Sequence, residues 1–182
     1  MFTYEEQAQQ RGFDFVVGID EAGRGPLAGP VVAAAVLVKE RSFQSRIADS
    51  KKLSPQQREA AFIEIYQKSL VGVGIMSESV IDRVNILEAT FLAMHRAIEH
   101  LLGQLASFEE ISEKTLVSRV CLLIDGHLFK SKIPYHYQTI IKGDALSFSI
   151  AAASIVAKVT RDRMMMIYDK VYPEYQLSRH KG

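Results

Sequence analysis

The chain has 182 residues, 48% of them hydrophobic, so it is long enough to bury the core of one domain and short for two. Its 22 basic and 21 acidic side chains leave a net charge of +1, which excludes a protein that binds polyanions over its whole surface. Its apolar runs are too short to cross a bilayer and its first residues are polar, so we expect a protein that is neither exported nor membrane-embedded.

The single cysteine, Cys121, lies inside an apolar run where a small hydrophobic side chain is expected. One cysteine cannot form a disulfide within the chain. Because disulfide-free chains are typical of reducing compartments, we expect a cytoplasmic location.

The first half of the chain predicts three strands and a helix. Residues 13–19 and 30–38 are short runs rich in Val and Ala, separated by a Gly/Pro turn, and both are typical of buried strands. Residues 71–75 alternate Val or Ile with glycine, which predicts a third strand with one bare face. Between them, Ser54 and Gln57 form a capping box with proline at the first helical position, which predicts a helix.

A second helix is expected to begin near Asn85. Asn85 and Glu88 form a cap signature, and a long apolar stripe follows at helical spacing. The polar residues 103–118 then predict a connector with one short helix after Ser107.

The last part of the chain predicts two strands and a long helix. Residues 120–124 and 137–141 are apolar strands, and a helix over 147–171 begins with a run of small residues suited to packing closely on a sheet. The order of elements predicts an α/β fold with a mixed sheet covered by helices.

Acidic residues follow three of these strands. Asp20, Asp125 and Asp144 each come after an apolar strand, and the carboxyl ends of neighbouring parallel strands meet at one edge of a sheet. We therefore expect the three to share one pocket. Glu21 can join Asp20 only if the backbone bends within the next two residues, because strand side chains alternate between faces.

Four converging carboxylates predict a metal site. Their charge requires neutralisation, and two divalent ions about 4 Å apart would balance it and hold a scissile phosphate. Oxygen ligands suit Mg²⁺ or Mn²⁺ better than zinc. The chemistry that this arrangement favours is phosphodiester hydrolysis without a His or Ser nucleophile.

Each of these features also has a structural interpretation. Asp125 before a glycine could form a turn, and Asp144 could cap a helix while still binding a metal. The glycine-rich residues 23–29 lack the Lys-Ser/Thr of a phosphate-binding P-loop, which makes a nucleotide loop the weaker reading.

Basic residues also allow two interpretations. Lys51 and Lys52 could contact phosphate or simply form an exposed loop. Lys158, Arg161 and Arg163 could face DNA, but the interpretation we favour is that they stabilise the C-terminal end of the last helix.

Several motifs carry a family resemblance. They are Gly18-Ile19-Asp20-Glu21-Ala22-Gly23-Arg24-Gly25, Asp49-Ser50-Lys51-Lys52-Leu53, Ile124-Asp125-Gly126, Lys142-Gly143-Asp144 and the run 150–162. Together, and in this order, they resemble ribonuclease HII, the bacterial type 2 ribonuclease H. The resemblance implies a ribonuclease H-like fold, with a mixed five-stranded sheet flanked by helices.

The resemblance also implies an activity. Members of this family hydrolyse the RNA strand of RNA/DNA hybrids and incise on the 5′ side of single ribonucleotides embedded in duplex DNA. The reaction depends on Mn²⁺ or Mg²⁺ and leaves 5′-phosphate ends. The partner expected is therefore an RNA/DNA hybrid or a ribonucleotide-containing duplex, bound by a monomer.

Particular residues take roles by resemblance. The metal-binding and catalytic acids correspond to Asp20, Glu21, Asp125 and Asp144. The turn that senses the ribose 2′-hydroxyl corresponds to Gly23, Arg24 and Gly25. The expected contacts with the nucleic-acid backbone come from Ser50, Lys51 and Asn85.

Two departures from the family pattern bear on these expectations. Leu146 stands where the family commonly has a lysine, so we expect one phosphate contact fewer. The chain stops at Gly182, where family members continue with a tyrosine and a further helical segment. We therefore expect one catalytic domain over residues 1–182 without the family's C-terminal segment. Within this domain, His180 and Lys181 could touch phosphate.

Two other functions fit the same residues. One is a non-catalytic module that binds RNA/DNA junctions, which the shortened end and Leu146 allow. The other is a related two-metal nuclease that acts on DNA alone. Cleavage of a duplex with one embedded ribonucleotide would eliminate the binding module, and an all-DNA duplex, which the ribonuclease should not cut, tests the DNA nuclease.

Overall fold

The computed structural model describes residues 1–130 and 133–179, and its centre is a five-stranded mixed sheet. The strands are β1 (Phe15–Ala22), β2 (Val31–Val38), β3 (Ser69–Met76), β4 (Val120–Asp125) and β5 (His136–Ile140). Their order across the sheet is β3-β2-β1-β4-β5. Strand β2 is antiparallel to both of its neighbours, β1 and β3, whereas β4 and β5 run parallel to β1. The predicted mixed sheet is confirmed.

Helices cover both faces of this sheet. They are α1 (Thr3–Gln10), α2 (Pro55–Lys68), α3 (Glu78–Val84), α4 (Ile86–Phe108), α5 (Glu113–Leu116), α6 (Gly143–Leu146) and α7 (Phe148–Val171), with 3₁₀ turns at Ser50–Lys52, Pro173–Tyr175 and Leu177–Arg179. Across residues 1–130 and 133–179, no helix has both the length and the apolar content needed to span a membrane.

Local capping explains where the predicted helices begin. Before α2, the Ser54 hydroxyl accepts the Gln57 N–H at 3.2 Å, and the Gln57 side chain accepts the Ser54 N–H at 2.8 Å. Before α4, the Asn85 side chain accepts the Glu88 N–H at 3.1 Å. Both predicted caps are confirmed.

Three helical segments differ from the sequence-based expectation. Neither α1 nor α3 was predicted, since both are short and largely polar. The polar connector expected from residue 103 begins later, because the apolar stripe of α4 continues through buried Leu105 and α4 runs to Phe108. The short helix expected after Ser107 is found as α5. It begins after Ser112, whose hydroxyl accepts the Thr115 N–H.

One face of the sheet packs against the backbone of α4. An added Cβ at Gly72 would lie 2.1 Å from the Ala97 carbonyl oxygen, and one at Gly74 would lie 2.0 Å from that of Ala93. The bare face predicted for β3 is therefore the surface on which α4 lies.

The opposite face packs against α7. The small residues at its start, Ala151, Ala152 and Ala153, are fully buried with side chains of β2 and α2. A third cluster joins Ala8 of α1 to Cys121 of β4. Burial raises the pKa of the Cys121 thiol to about 11, so this cysteine is a core side chain and not a reactive thiolate.

The parallel strands bring their carboxyl ends to one edge of the sheet. Ile19 of β1 is paired with Ile124 of β4, and Asp125 at the end of β4 is paired with Ile140 of β5. The residues that follow Ile19 and Ile124 therefore lie side by side at this edge.

Candidate active site

Asp20 and Asp125 are neighbours across two parallel strands. Each follows directly on the paired residues Ile19 and Ile124, so the strand register alone brings the two carboxylates together. Asp20 is only 6% exposed, and its Oδ1 accepts the backbone N–H of Glu21 at 2.7 Å. The predicted convergence of these two acids is confirmed, since the strand register places their backbones side by side.

Asp144 reaches the same place by a different route. It does not directly follow β5, which ends at Ile140, but lies on the short helix α6. A left-handed residue, Lys142 (φ +57°), turns the chain, and the Gly143 N–H donates to Asp125 Oδ1 at 2.6 Å. This hydrogen bond connects the end of β4 to the turn that carries Asp144.

The backbone bends within two residues after Glu21, as expected. Pairing between β1 and β2 continues in register through Ala22, and the chain turns at Gly23 (φ +108°). Because the strand ends so soon after Glu21, its carboxylate still lies at the same edge, where its Oε1 accepts from Arg24 Nη1 at 3.1 Å.

These acids line one cleft of about 240 Å³. The complete lining is Asp20, Glu21, Ala22, Gly23, Arg24, Gly25, Pro26, Ser50, Lys51, Asp125, Asp144, Ser154 and Lys158. The cleft therefore contains every site residue that the sequence predicts except Asn85. Ser154 and Pro26 were not predicted as site residues, although Ser154 lies in the motif run 150–162.

Burial and mutual repulsion dominate the electrostatics of the cleft. Burial raises the pKa of Asp20 well above its ordinary value, and the charges of Glu21 and Asp125 raise it further. Burial also raises the pKa of Glu21, although Arg24 opposes this. The pKa of Asp144 is raised by burial and then by Asp49 and Asp125. A cation bound in the cleft would therefore stabilise the ionised carboxylates.

The donor set fits a hard divalent cation. The described residues that line the cleft include four carboxylates and no imidazole or thiol, which matches the oxygen ligands of Mg²⁺ and Mn²⁺. Within residues 1–130 and 133–179, however, no group of three acidic, His or Cys side chains is already arranged to hold a metal ion.

A buried arginine supports the glycine-rich turn after β1 by hydrogen bonds to its backbone. Arg161 is fully buried in α7; its Nε donates to the Pro30 carbonyl at 2.9 Å and its Nη2 to the Ala28 carbonyl at 2.8 Å. The interpretation of Arg161 as a C-terminal helix charge was wrong. Its helical spacing from Ala153 and Ser154, which belong to the run of small residues predicted to pack on the sheet, was the signal that could have placed it on the face towards the sheet.

The other two basic residues of α7 have different positions. Lys158 lines the cleft, with its Nζ 2.9 Å from Asp162 Oδ1. Arg163 lies outside the cleft, where it pairs with Glu59 and covers the Phe62 ring. Neither lies near the end of α7, which continues to Val171.

The loop before α2 contributes one wall of the cleft. Asp49 accepts the Lys51 N–H at 2.9 Å and so fixes the 3₁₀ turn that carries Ser50 and Lys51. Ser50 is buried, and its hydroxyl accepts from that of Ser154 at 2.9 Å. The loop is thus tied to α7 next to the acids.

Asn85 is not brought into the cleft. It caps α4 with φ +74°, and its side-chain oxygen is engaged by the Glu88 N–H. Leu146 is likewise absent from the cleft lining and is 45% exposed on α6. His180 and Lys181 lie outside the residues that the structure describes.

The raised pKa of Asp20 predicts a pH-dependent stability. An aspartate in the unfolded chain has a pKa of about 3.9, whereas the pKa of Asp20 in the fold is higher. The native state therefore holds the proton more tightly, and the free energy of unfolding falls as the pH rises from the unfolded to the folded pKa. Asp20→Asn removes this loss.

We expect metal-free Asp20→Asn to melt about 2–4 °C above wild type at pH 7, equivalent to about 1 kcal/mol, with a smaller difference at pH 4. Thermal unfolding of both proteins at pH 7 and pH 4, in the presence of a chelator, measures these differences in melting temperature. Equal melting temperatures at pH 7 would contradict the electrostatic account.

Gly23 and Gly25 are expected to differ in what they tolerate. A Cβ at Gly23, which has positive φ, would lie 2.5 Å from Arg161 Nε, whereas one at Gly25 would meet nothing within 4 Å. Gly23→Ala should cost about 2–4 kcal/mol in urea unfolding. Gly25→Ala, the matched control, should change stability by less than about 0.5 kcal/mol; similar losses in both would disprove the supporting role of Arg161.

Comparison with known proteins identifies the family. The family model described as ribonuclease HII matches residues 17–182. Ribonuclease HII of Geobacter sulfurreducens is 46% identical over 183 residues, covering 100% of this chain and 77% of that protein. Ribonuclease HII of Acetivibrio thermocellus is 49% identical over 183 residues, covering 100% of this chain and 66% of that protein.

A solved structure agrees with the fold. The ribonuclease H2 of Pyrococcus horikoshii OT3 superposes with a TM-score of 0.63 at 28% identity, over 88% of this chain and 78% of that one. The five-stranded mixed sheet flanked by helices is thus the ribonuclease H-like fold. With the family model spanning the acids, the Gly-Arg-Gly turn and α7, the chain belongs to the ribonuclease HII family, whose members are endonucleases of the ribonuclease H type.

Proposed function

We propose that this protein is a metal-dependent endoribonuclease that hydrolyses the RNA strand of RNA/DNA hybrids. It also incises on the 5′ side of single ribonucleotides in duplex DNA and leaves 5′-phosphate ends. The observation that carries the proposal is the cleft in which Asp20, Glu21, Asp125 and Asp144 lie beside the Gly-Arg-Gly turn of residues 23–25.

The four acids are proposed to be the metal ligands and the catalytic residues. Their shared cleft and the raised pKa values of Asp20, Glu21 and Asp144 support this role, because a cation relieves both burial and repulsion. Two Mn²⁺ or Mg²⁺ ions bound there would supply a hydroxide nucleophile at neutral pH and stabilise charge on the departing oxygen.

The Gly-Arg-Gly turn is proposed to recognise the ribonucleotide. Gly25 has open space where a side chain would stand, so its backbone N–H and C=O groups can approach a ribose 2′-hydroxyl closely. The Arg24 side chain is half exposed, and its planar donors can bind an adjacent phosphate once a substrate competes with Glu21.

Ser50 and Lys51 are proposed to contact the nucleic-acid backbone. Both line the cleft, on a loop fixed by Asp49. Asn85 remains a predicted contact with the DNA strand, and its place outside the cleft gives it no further support.

We further propose that residues 1–182 act as one catalytic domain, as a monomer in the cytoplasm. The buried, unpaired thiol of Cys121 is compatible with a reducing compartment.

Cleavage assays on three duplexes test the proposed activity. We expect Mn²⁺-dependent cutting of an RNA/DNA hybrid and of a DNA duplex with one ribonucleotide, and no cutting of an all-DNA duplex. Asp20→Asn should abolish cleavage while binding persists, because it removes ligand charge and little volume. Binding without cleavage by wild type would indicate a junction-binding module, and cutting of all-DNA duplex would indicate a DNA nuclease.

The two neighbouring lysines provide a test of the backbone contact. Lys51 lines the cleft, whereas Lys52 does not and lies 3.8 Å from Asp49. Lys51→Ala should weaken hybrid binding and reduce the slope of log K against log salt concentration by about one. Lys52→Ala should leave the slope unchanged; an identical slope in both variants would remove Lys51 from the interface.

A further inference from the structure

The N-terminal segment contacts the start of α7 directly. The first backbone N–H of α7, that of Phe148, donates to the Met1 carbonyl at 2.8 Å, and the Phe2 ring stacks on that of Phe148 with centroids 4.4 Å apart. The second N–H, that of Ser149, donates to Glu5 Oε1 at 2.9 Å. Met1, which precedes α1, and Glu5 within α1 thus satisfy donors that α7 cannot satisfy itself.

Glu5 is the centre of this contact. It is 5% exposed, and its Oε1 also accepts from the hydroxyls of Ser147 and Ser149, each at 2.7 Å. A carboxylate at a helix N-terminus is stabilised by the helix dipole as well as by these hydrogen bonds. The interaction therefore holds the first turn of α7 in one place.

That first turn lies between the two acid-bearing segments. A Cβ on Gly18, two residues before Asp20, would lie 2.1 Å from the Ser149 carbonyl carbon. A Cβ on Gly143, next to Asp144, would lie 2.6 Å from the Ile150 side chain. Residues 149 and 150 therefore contact β1 on one side and the turn of α6 on the other.

We propose that Glu5 is a positioning residue for the cleft: by fixing the first turn of α7, it sets the distance between Asp20 and the Gly143–Asp144 turn. Glu5 lies before residue 17, where the match to the family model begins, so this role is additional to the matched motifs. The part that concerns metal binding rests on the proposed function.

Two hydrogen bonds of Ser147 would transmit a displacement at the start of α7 to Gly143. Ser147 Oγ accepts the Ile150 N–H at 3.3 Å, and the Ser147 N–H donates to the Gly143 carbonyl at 2.8 Å. A shift of Ser147 therefore moves Gly143, whose own N–H binds Asp125. Loss of the Glu5 charge should loosen this chain of hydrogen bonds and widen the range of positions open to Asp144.

Glu5→Gln tests the proposal, with Glu6→Gln as the matched control. Glu6 is the next residue along α1 but is exposed and paired with Arg41 at 3.0 Å. We expect Glu5→Gln to weaken Mn²⁺ binding, measured by calorimetry without substrate, by about tenfold, as is typical for residues that orient metal ligands. The amide of Gly143 should also exchange severalfold faster in metal-free protein, and Glu6→Gln should change neither quantity.

Glu5→Gln that lowers only the melting temperature, with wild-type Mn²⁺ affinity and Gly143 exchange, would overturn the proposal. If Glu5→Gln does not fold, Ser149→Ala removes one of the same hydrogen bonds and is judged by the same two readouts. If wild type binds no Mn²⁺, the metal part of the proposed function fails, and Gly143 exchange alone decides the role of Glu5.

Discussion

The site depends on the register between β1 and β4. Pairing of Ile19 with Ile124 places Asp20 and Asp125 side by side at the carboxyl ends of two parallel strands, with Asp20 almost fully buried. Two neighbouring carboxylates in such a place destabilise the metal-free fold, because each loses hydration and repels the other. The protein tolerates this arrangement because the surrounding elements are held by independent interactions.

Helix α7 provides most of that support. Its first turn packs against Gly18 of β1, Ser154 bonds to Ser50 beside the acids, and Arg161 holds the glycine-rich turn through backbone carbonyls. Its first turn is in turn fixed by Glu5. A single helix therefore sets the relative positions of the acids, the loop that carries Ser50 and the glycine-rich turn.

The sequence predicted the parts of this arrangement that depend on local chemistry. The alternation of Gly with Val in β3, the capping box of Ser54 and the strand-end acids Asp20 and Asp125 each have a direct physical signal, and each is found. Asp144 was predicted at a strand end but lies on α6, because the left-handed Lys142 adds a turn that residue types alone do not reveal. Arg161 and Glu5 were missed as buried groups, since their partners are backbone carbonyls or residues about 130 to 145 positions away in sequence.

The central claim is that carboxylates from β1, β4 and α6 form one cation site. Anomalous diffraction from crystals soaked in Mn²⁺ tests it most directly, since it locates the metal without reference to activity. The account predicts manganese in the cleft, coordinated by oxygens of Asp20 and Asp125 and by at least one of Glu21 and Asp144. Manganese bound only elsewhere on the protein, with this cleft free of metal at saturating concentration, would contradict it.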